Sequence, residues 1–139
     1  MANNSSKGLL ALDVGKKRIG ISYCDQLRIS ISILPTLIRD KEHKEIALIK
    51  KYIEEKRIGK LLIGLPLNDK GEITKQAIDC KNYSEIISKN INIPYEFVNE
   101  HSSSWEAQQR FNIKRDKSGD IDGFSSYIIL EQWIKENPE

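Results

Sequence analysis

The sequence predicts a mixed α/β domain: a five-stranded sheet, its first three strands antiparallel, flanked by helices. Three observations predict it. Residues 8–34 hold one continuous apolar run and two alternating stretches with no helical pattern between them, and from residue 41 onward helix-like and strand-like patterns take turns. No Gly-x-Gly-x-x-Gly follows the first strand, which sets a doubly wound dinucleotide-binding sheet aside. With 139 residues, one domain over 8–136 is expected, behind a small polar N-terminus at 1–7 that frays. A chain of this size buries roughly 68–70% of its unfolded surface and needs no disulfide or structural metal to hold its core.

Gly8 to Leu12 has the unbroken apolar character of a central strand buried on both faces, and Asp13 closes it. Ile19, Ile21 and Tyr23 then alternate with small residues. After Asp25-Gln26, Ile29, Ile31 and Ile33 alternate again, which completes an antiparallel meander. From Lys41 to Arg57 the period becomes helical, with Ile46, Ile49 and Ile53 on one face and an end expected near Gly59. Lys60 to Ile63 reads as a short strand, and Gly64-Leu-Pro-Leu-Asn68 as the loop that closes it. A helix from about Thr74 to Lys89, a strand from Pro94 to Val98 ending at Asn99-Glu100, and a helix capped by Ser102 or Ser103 and carrying Trp105, Ala107 and Phe111 come next. The last helix runs from about Asp120 to Lys135, with Ile121, Phe124, Ile128 and Trp133 towards the core.

Composition narrows the functional classes. Lys and Arg total 22 against 20 Asp and Glu, a net charge of +2, so any basic surface is local rather than global. The charge-free run from Ile29 to Ile38 is too short to span a bilayer, and Gly8 to Leu12 is too short for a signal peptide, so a cytoplasmic protein without membrane contact is expected. Cys24 and Cys80 fit reduced thiols, and His43 and His101 are too few and too far apart for a zinc site. Lys16, Lys17 and Arg18, with Lys114, Arg115 and Lys117, form the candidate basic rim for nucleic-acid phosphates.

Three acids fall where stability alone does not ask for them. Asp13 follows a buried strand, Glu100 follows another, and Asp122 opens the last helix. Each has a bland explanation, Asp13 as a turn former and the other two as charges favoured near helix N-termini. Brought together at strand ends, where ligands of open α/β sheets bind, three carboxylates repel unless a cation neutralises them. All-oxygen ligation suits Mg²⁺ or Mn²⁺, and such ions serve phosphodiester cleavage. Asn68, in a Gly/Pro loop beside a strand end, is placed to hydrogen-bond a phosphate.

These residues resemble the YqgF/RuvX family. The resemblance rests on Leu12-Asp-Val-Gly15 with Lys17 and Ile19-Gly20, on Gly64-Leu-Pro-Leu-Asn68 with Gly71 and Ala77, on Glu100 ahead of Ser103 and Glu106-Ala107, and on Asp122 before Ser125 and Ile128-Ile-Leu-Glu131. It covers residues 8 to 135, nearly the whole chain. It implies an RNase H-like fold and a Mg²⁺- or Mn²⁺-dependent endonuclease, either a processor of the 5′ end of precursor 16S rRNA or a Holliday-junction resolvase. By the same resemblance Asp13, Glu100 and Asp122 are the catalytic, metal-holding acids. Where the family usually carries Asp-Glu-Arg-x-Ser-Thr, this chain has Asn99-Glu100-His101-Ser102-Ser103-Ser104, so a carboxylate and a bidentate phosphate grip are exchanged for weaker groups. Phe124 stands where smaller residues are usual.

The expected partner is therefore nucleic acid, precursor rRNA or branched DNA, met on a ribosomal particle in the first case. Lys17, Asn68 and His101 are expected at phosphates. A resolvase that cuts two strands symmetrically favours a homodimer, whereas an RNA processor can act as a monomer. Two other classes remain open: a non-catalytic RNA- or ribosome-binding protein, suggested by Asn99 and His101, and a sugar-kinase or actin-like ATPase, suggested by Asp-x-Gly before Ile-Gly but opposed by a length that holds one such domain.

Overall fold

The structure, a computed structural model, describes residues 7–66, 72–100 and 120–137, with residues 100 and 120–122 described by their backbone. Gly8–Val14 forms β1, Arg18–Cys24 β2 and Ile31–Ile38 β3. They make the expected antiparallel meander, with Asp13 opposite Gly20 and Ser22 opposite Ile33. Helix α1 (Glu42–Glu55), β4 (Ile58–Pro66), α2 (Lys75–Ser88), β5 (Tyr95–Glu100) and α3 (Asp120–Glu136) follow. The sheet order is β3-β2-β1-β4-β5, with β4 parallel to both β1 and β5.

The central position of β1 explains its apolar run. Leu10, Leu12 and Val14 face one side of the sheet, where they join Ile46 and Ile49 of α1 and Cys80, Tyr83 and Ile87 of α2. Leu9 and Ala11 face the other, where Ile129, Leu130 and Trp133 of α3 cover them. With both faces roofed by helices, an alternating apolar-polar pattern would strand polar groups in a core. The result is a three-layer α/β/α domain.

Helix α3 packs across β1, β2 and β3 on its face of the sheet. Small residues are buried on both sides of this packing, Ala11, Gly20 and Ser22 on the sheet and Gly123, Ser125 and Ser126 on the helix. A Cβ added at Gly123 would lie 2.9 Å from the Ile33 Cγ2. The Ser126 hydroxyl is satisfied within the helix, donating to the Gly123 carbonyl at 2.7 Å.

Several boundaries differ from the sequence expectation for physical reasons. Gly64 to Pro66, expected as loop, continue β4, because Leu65 pairs with Asn99 and Pro66 with Glu100 on a β5 that runs two residues further than expected. Helix α1 stops at Glu55; the left-handed position that ends it is held by Arg57, with φ of 55°, rather than by Gly59. On α3, Ile128 and Trp133 are buried as expected, Phe124 is half-buried, and Ile129 and Leu130 carry core positions as well. The expected helix with Trp105, Ala107 and Phe111 lies outside the described residues. No helix among the described residues is long and apolar enough to cross a membrane.

Candidate active site

Asp13 is half-buried, one residue before the end of β1 and directly beyond the row in which Leu12 pairs with Ile63. Its parity along the strand is that of Leu9 and Ala11, the α3 side. Glu100 ends β5, two positions beyond Val98, which belongs to that same layer. Asp122 stands in the first turn of α3, one residue before the Gly123 that seats this helix end on β3. The three acidic positions thus share the C-terminal edge of the parallel strands and the layer of α3. Asp13 and Glu100 are not on neighbouring strands, since β4 lies between them.

The donor set fits a hard divalent cation. Every candidate ligand is a carboxylate, and the nearby thiol, Cys80, is buried on the opposite face and donates to the Gly64 carbonyl at 3.4 Å. Among residues with described side chains, no group of three His, Cys, Asp or Glu is assembled; the side chains of Glu100 and Asp122 fall outside that set.

The turn after Asp13 is held from two directions. The Gly15 amide donates to the Arg18 carbonyl at 2.8 Å, and a Cβ at Gly15 would stand 2.9 Å from that same oxygen, so the tight turn requires glycine. From outside, the Arg39 amide donates to the Lys17 carbonyl at 2.9 Å, and its Nη1 donates to the Gly15 carbonyl at 2.7 Å. Arg39 is itself fixed. Its Nε lies 3.6 Å from the Glu45 Oε1, and its guanidinium stacks 4.4 Å from the centre of the Tyr83 ring.

Glu45 is 4% exposed, a burial that an acid tolerates only with partners. Besides Arg39, the Tyr83 hydroxyl donates to its Oε1 at 2.6 Å and the Asp40 amide to its Oε2 at 2.8 Å. Burial, reinforced by the hydrogen bond to Glu45, pushes the Tyr83 hydroxyl well above the ordinary phenol range, so it stays a donor. The Arg39–Glu45–Tyr83 node was not singled out by the sequence. Its members are separated by up to 44 residues, and the only local hint is a charged Glu45 on the same helical stripe as Ile49.

Of the candidate phosphate contacts, Lys16 and Lys17 are exposed at the tip of this turn and Arg18 is half-buried at the start of β2. Asn68, His101, Lys114, Arg115 and Lys117 lie outside the described residues. Thr74 donates to the Pro66 carbonyl at 3.2 Å and accepts from the Ala77 amide at 3.1 Å, tying the end of β4 to the start of α2. Asn99 is exposed on β5, and His43 is exposed on α1 as expected.

Comparison with known proteins then decides the family. The family model described as "RuvX: Holliday junction resolvase" matches residues 7–136. The chain belongs to the RuvX family. A relative from Prochlorococcus marinus strain MIT 9215 named "Putative pre-16S rRNA nuclease" is 53% identical over 133 residues, covering 96% of this chain and 87% of its own. A relative of the same name from strain MIT 9211 is 44% identical over 134 residues, covering 96% and 92%.

Solved structures support the fold of this RuvX-family chain. Thermus thermophilus RuvC in complex with a Holliday junction aligns with a TM-score of 0.55 at 8% identity, over 94% of this chain and 95% of that one. The Fowlpox virus resolvase bound to Holliday junction DNA gives 0.55 at 11% identity, over 95% and 99%. At such identities the likeness establishes the fold alone. The RNase H-like expectation therefore holds.

Proposed function

We propose that this RuvX-family chain is a metal-dependent endonuclease that hydrolyses phosphodiester bonds, acting in the cytoplasm on the 5′ end of precursor 16S rRNA as part of ribosome assembly. The observation that carries the site is Asp13, a half-buried acid at the C-terminal end of the central strand. The relatives' name supports the substrate.

In this reading Asp13, Glu100 and Asp122 hold Mg²⁺ or Mn²⁺. A cation held there would supply activation of a water and neutralisation of charge on the leaving oxygen. The carboxylates orient the water for attack on phosphorus, and the bond from phosphorus to the leaving oxygen breaks. Lys17, projecting from the turn that Arg39 clamps, binds a flanking phosphate, and Lys16, Arg18, Asn68, His101, Lys114, Arg115 and Lys117 make up the rest of the nucleic-acid rim. Junction resolution is the second reading, favoured by the family description, and it favours a homodimer where rRNA processing is served by a monomer on the ribosomal particle.

The test is cleavage of labelled RNA carrying the precursor 5′ extension, with a four-way DNA junction in parallel, in Mn²⁺, Mg²⁺ or EDTA. Wild type is expected to cut the RNA only with a divalent cation, and Asp13→Asn or Asp122→Asn to lose more than about 100-fold, beyond what losing a mere supporting group around a metal costs. Cutting of the junction alone moves the function to resolution. Binding without cleavage overturns catalysis in favour of an RNA-binding role.

A further inference from the structure

Beside the acidic edge, on the opposite face of the sheet, lies a cleft of about 250 Å³ lined by Val14, Gly15, Lys16, Arg39, Gln76, Asp79 and Cys80. Val14 is the residue after Asp13, and alternation turns it to the α1/α2 side. The cleft and the carboxylate edge are therefore adjacent along β1 but separated by the rim of the sheet.

Its lining is chemically mixed. Val14 and Cys80 are buried and form an apolar wall, while Gln76 and Asp79 on α2 and Lys16 on the turn are exposed. The side chains of Lys16, Gln76 and Asp79 make no hydrogen bond or ion pair among the described residues. Arg39 commits Nη1 to Gly15 and Nε to Glu45, which leaves Nη2 without a partner there. The cleft thus offers a fixed donor and an exposed one, a carboxylate acceptor and an amide that can do either.

We propose that this cleft binds one unpaired nucleobase of a nucleic-acid strand lying across the carboxylate edge. A phosphate is a poorer match, since the Asp79 carboxylate opposes an anion and the apolar wall gives it nothing. The volume falls just under the roughly 300–1,000 Å³ typical of sites for drug-sized ligands, which suits a single ring system rather than a whole nucleotide. Asp79 accepts from an exocyclic amino group, while Lys16 and Arg39 donate to a carbonyl or ring nitrogen. Guanine and cytosine carry both an amino group and a carbonyl; adenine lacks the carbonyl, and uracil lacks the amino group. The Arg39–Glu45–Tyr83 node keeps one wall fixed before the base arrives. The identity of the strand rests on the nuclease reading.

The experiment follows backbone amide resonances of the full chain, without divalent cations, during titration with each of the four nucleoside 5′-monophosphates and with inorganic phosphate. Gly15, Lys16, Gln76, Asp79 and Cys80 are expected to shift with GMP and CMP, less with AMP and UMP, and not with phosphate. Asp79→Asn, an exposed change that leaves the fold intact, is expected to weaken GMP binding about tenfold, the size of one lost paired contact to a base. A single-stranded oligonucleotide should saturate the same shifts at lower concentration than the mononucleotide of the same base; equal saturation makes a free nucleotide the occupant and overturns the strand. No shift at these residues, equal shifts with phosphate alone, or a preference for UMP overturns the base site. Asp13→Asn should keep the shifts whether or not cleavage is lost, so failure of the base site and failure of the nuclease reading show up in different measurements.

Discussion

Tyr83 is where a single hydroxyl does the most. It donates a hydrogen bond to a buried carboxylate that also anchors Arg39, and its ring carries the guanidinium. Tyr83→Phe keeps the ring and removes one hydrogen bond to a charged group, so it should destabilise the fold by about 1.5–3 kcal/mol in urea unfolding. The pH dependence has a definite sign. A folded phenol held above its unfolded value contributes stability that is fully present below about pH 10 and is lost as pH climbs from there towards the folded value. The gap between wild type and Tyr83→Phe should therefore narrow above about pH 10; a gap that stays constant removes the Glu45 bond as its cause. Asp13 could be picked out of the sequence because a lone acid ending an apolar strand breaks a visible pattern. Arg39 could not, because its worth lies in a contact with Gly15 that is 24 residues away.

Secondary elements were legible wherever a period was clean, and less so where pairing set their length. Alternation in residues 19–33 forces an antiparallel meander, and the helix between β1–β3 and β4 forces a parallel addition to the sheet. The extension of β4 through Pro66 was not legible, because Gly64 and Pro66 punctuate any sequence reading while the ladder to β5 is what keeps them extended. The seat of α3 shows the same dependence on partners. Gly123 has poor helix propensity, yet a methyl group there meets Ile33 at 2.9 Å. Gly123→Ala should destabilise by about 1 kcal/mol, overpacking outweighing the gain in propensity. Ile33 is 39% exposed, so Ile33→Ala should cost less than a core truncation. The double variant should be more stable than the two single changes predict by addition; strict additivity would mean that the two residues do not compete for space.

At the scale of the molecule, the sheet order decides what the acids can do together. With β4 between β1 and β5, Asp13 and Glu100 stand one strand apart at the same edge, and α3 brings Asp122 to the layer they share. That arrangement was legible in outline, since three acids at element ends invite one cation, but the intervening strand was not, because βαβ patterns fix parallel pairing and not which edge of β1 each new strand takes. If the edge is a cation site, folding and metal binding are linked. A cation bound by the native chain alone adds about 2.7 kcal/mol at a hundredfold excess over its dissociation constant, about 10 °C in unfolding midpoint for a domain of this size. Mn²⁺ or Mg²⁺ should therefore raise the midpoint of wild type and raise it much less for Asp13→Asn or Asp122→Asn, while Asp79→Asn, across the sheet, keeps the full shift. Equal shifts in all four proteins would place the cation elsewhere and overturn the three-acid site.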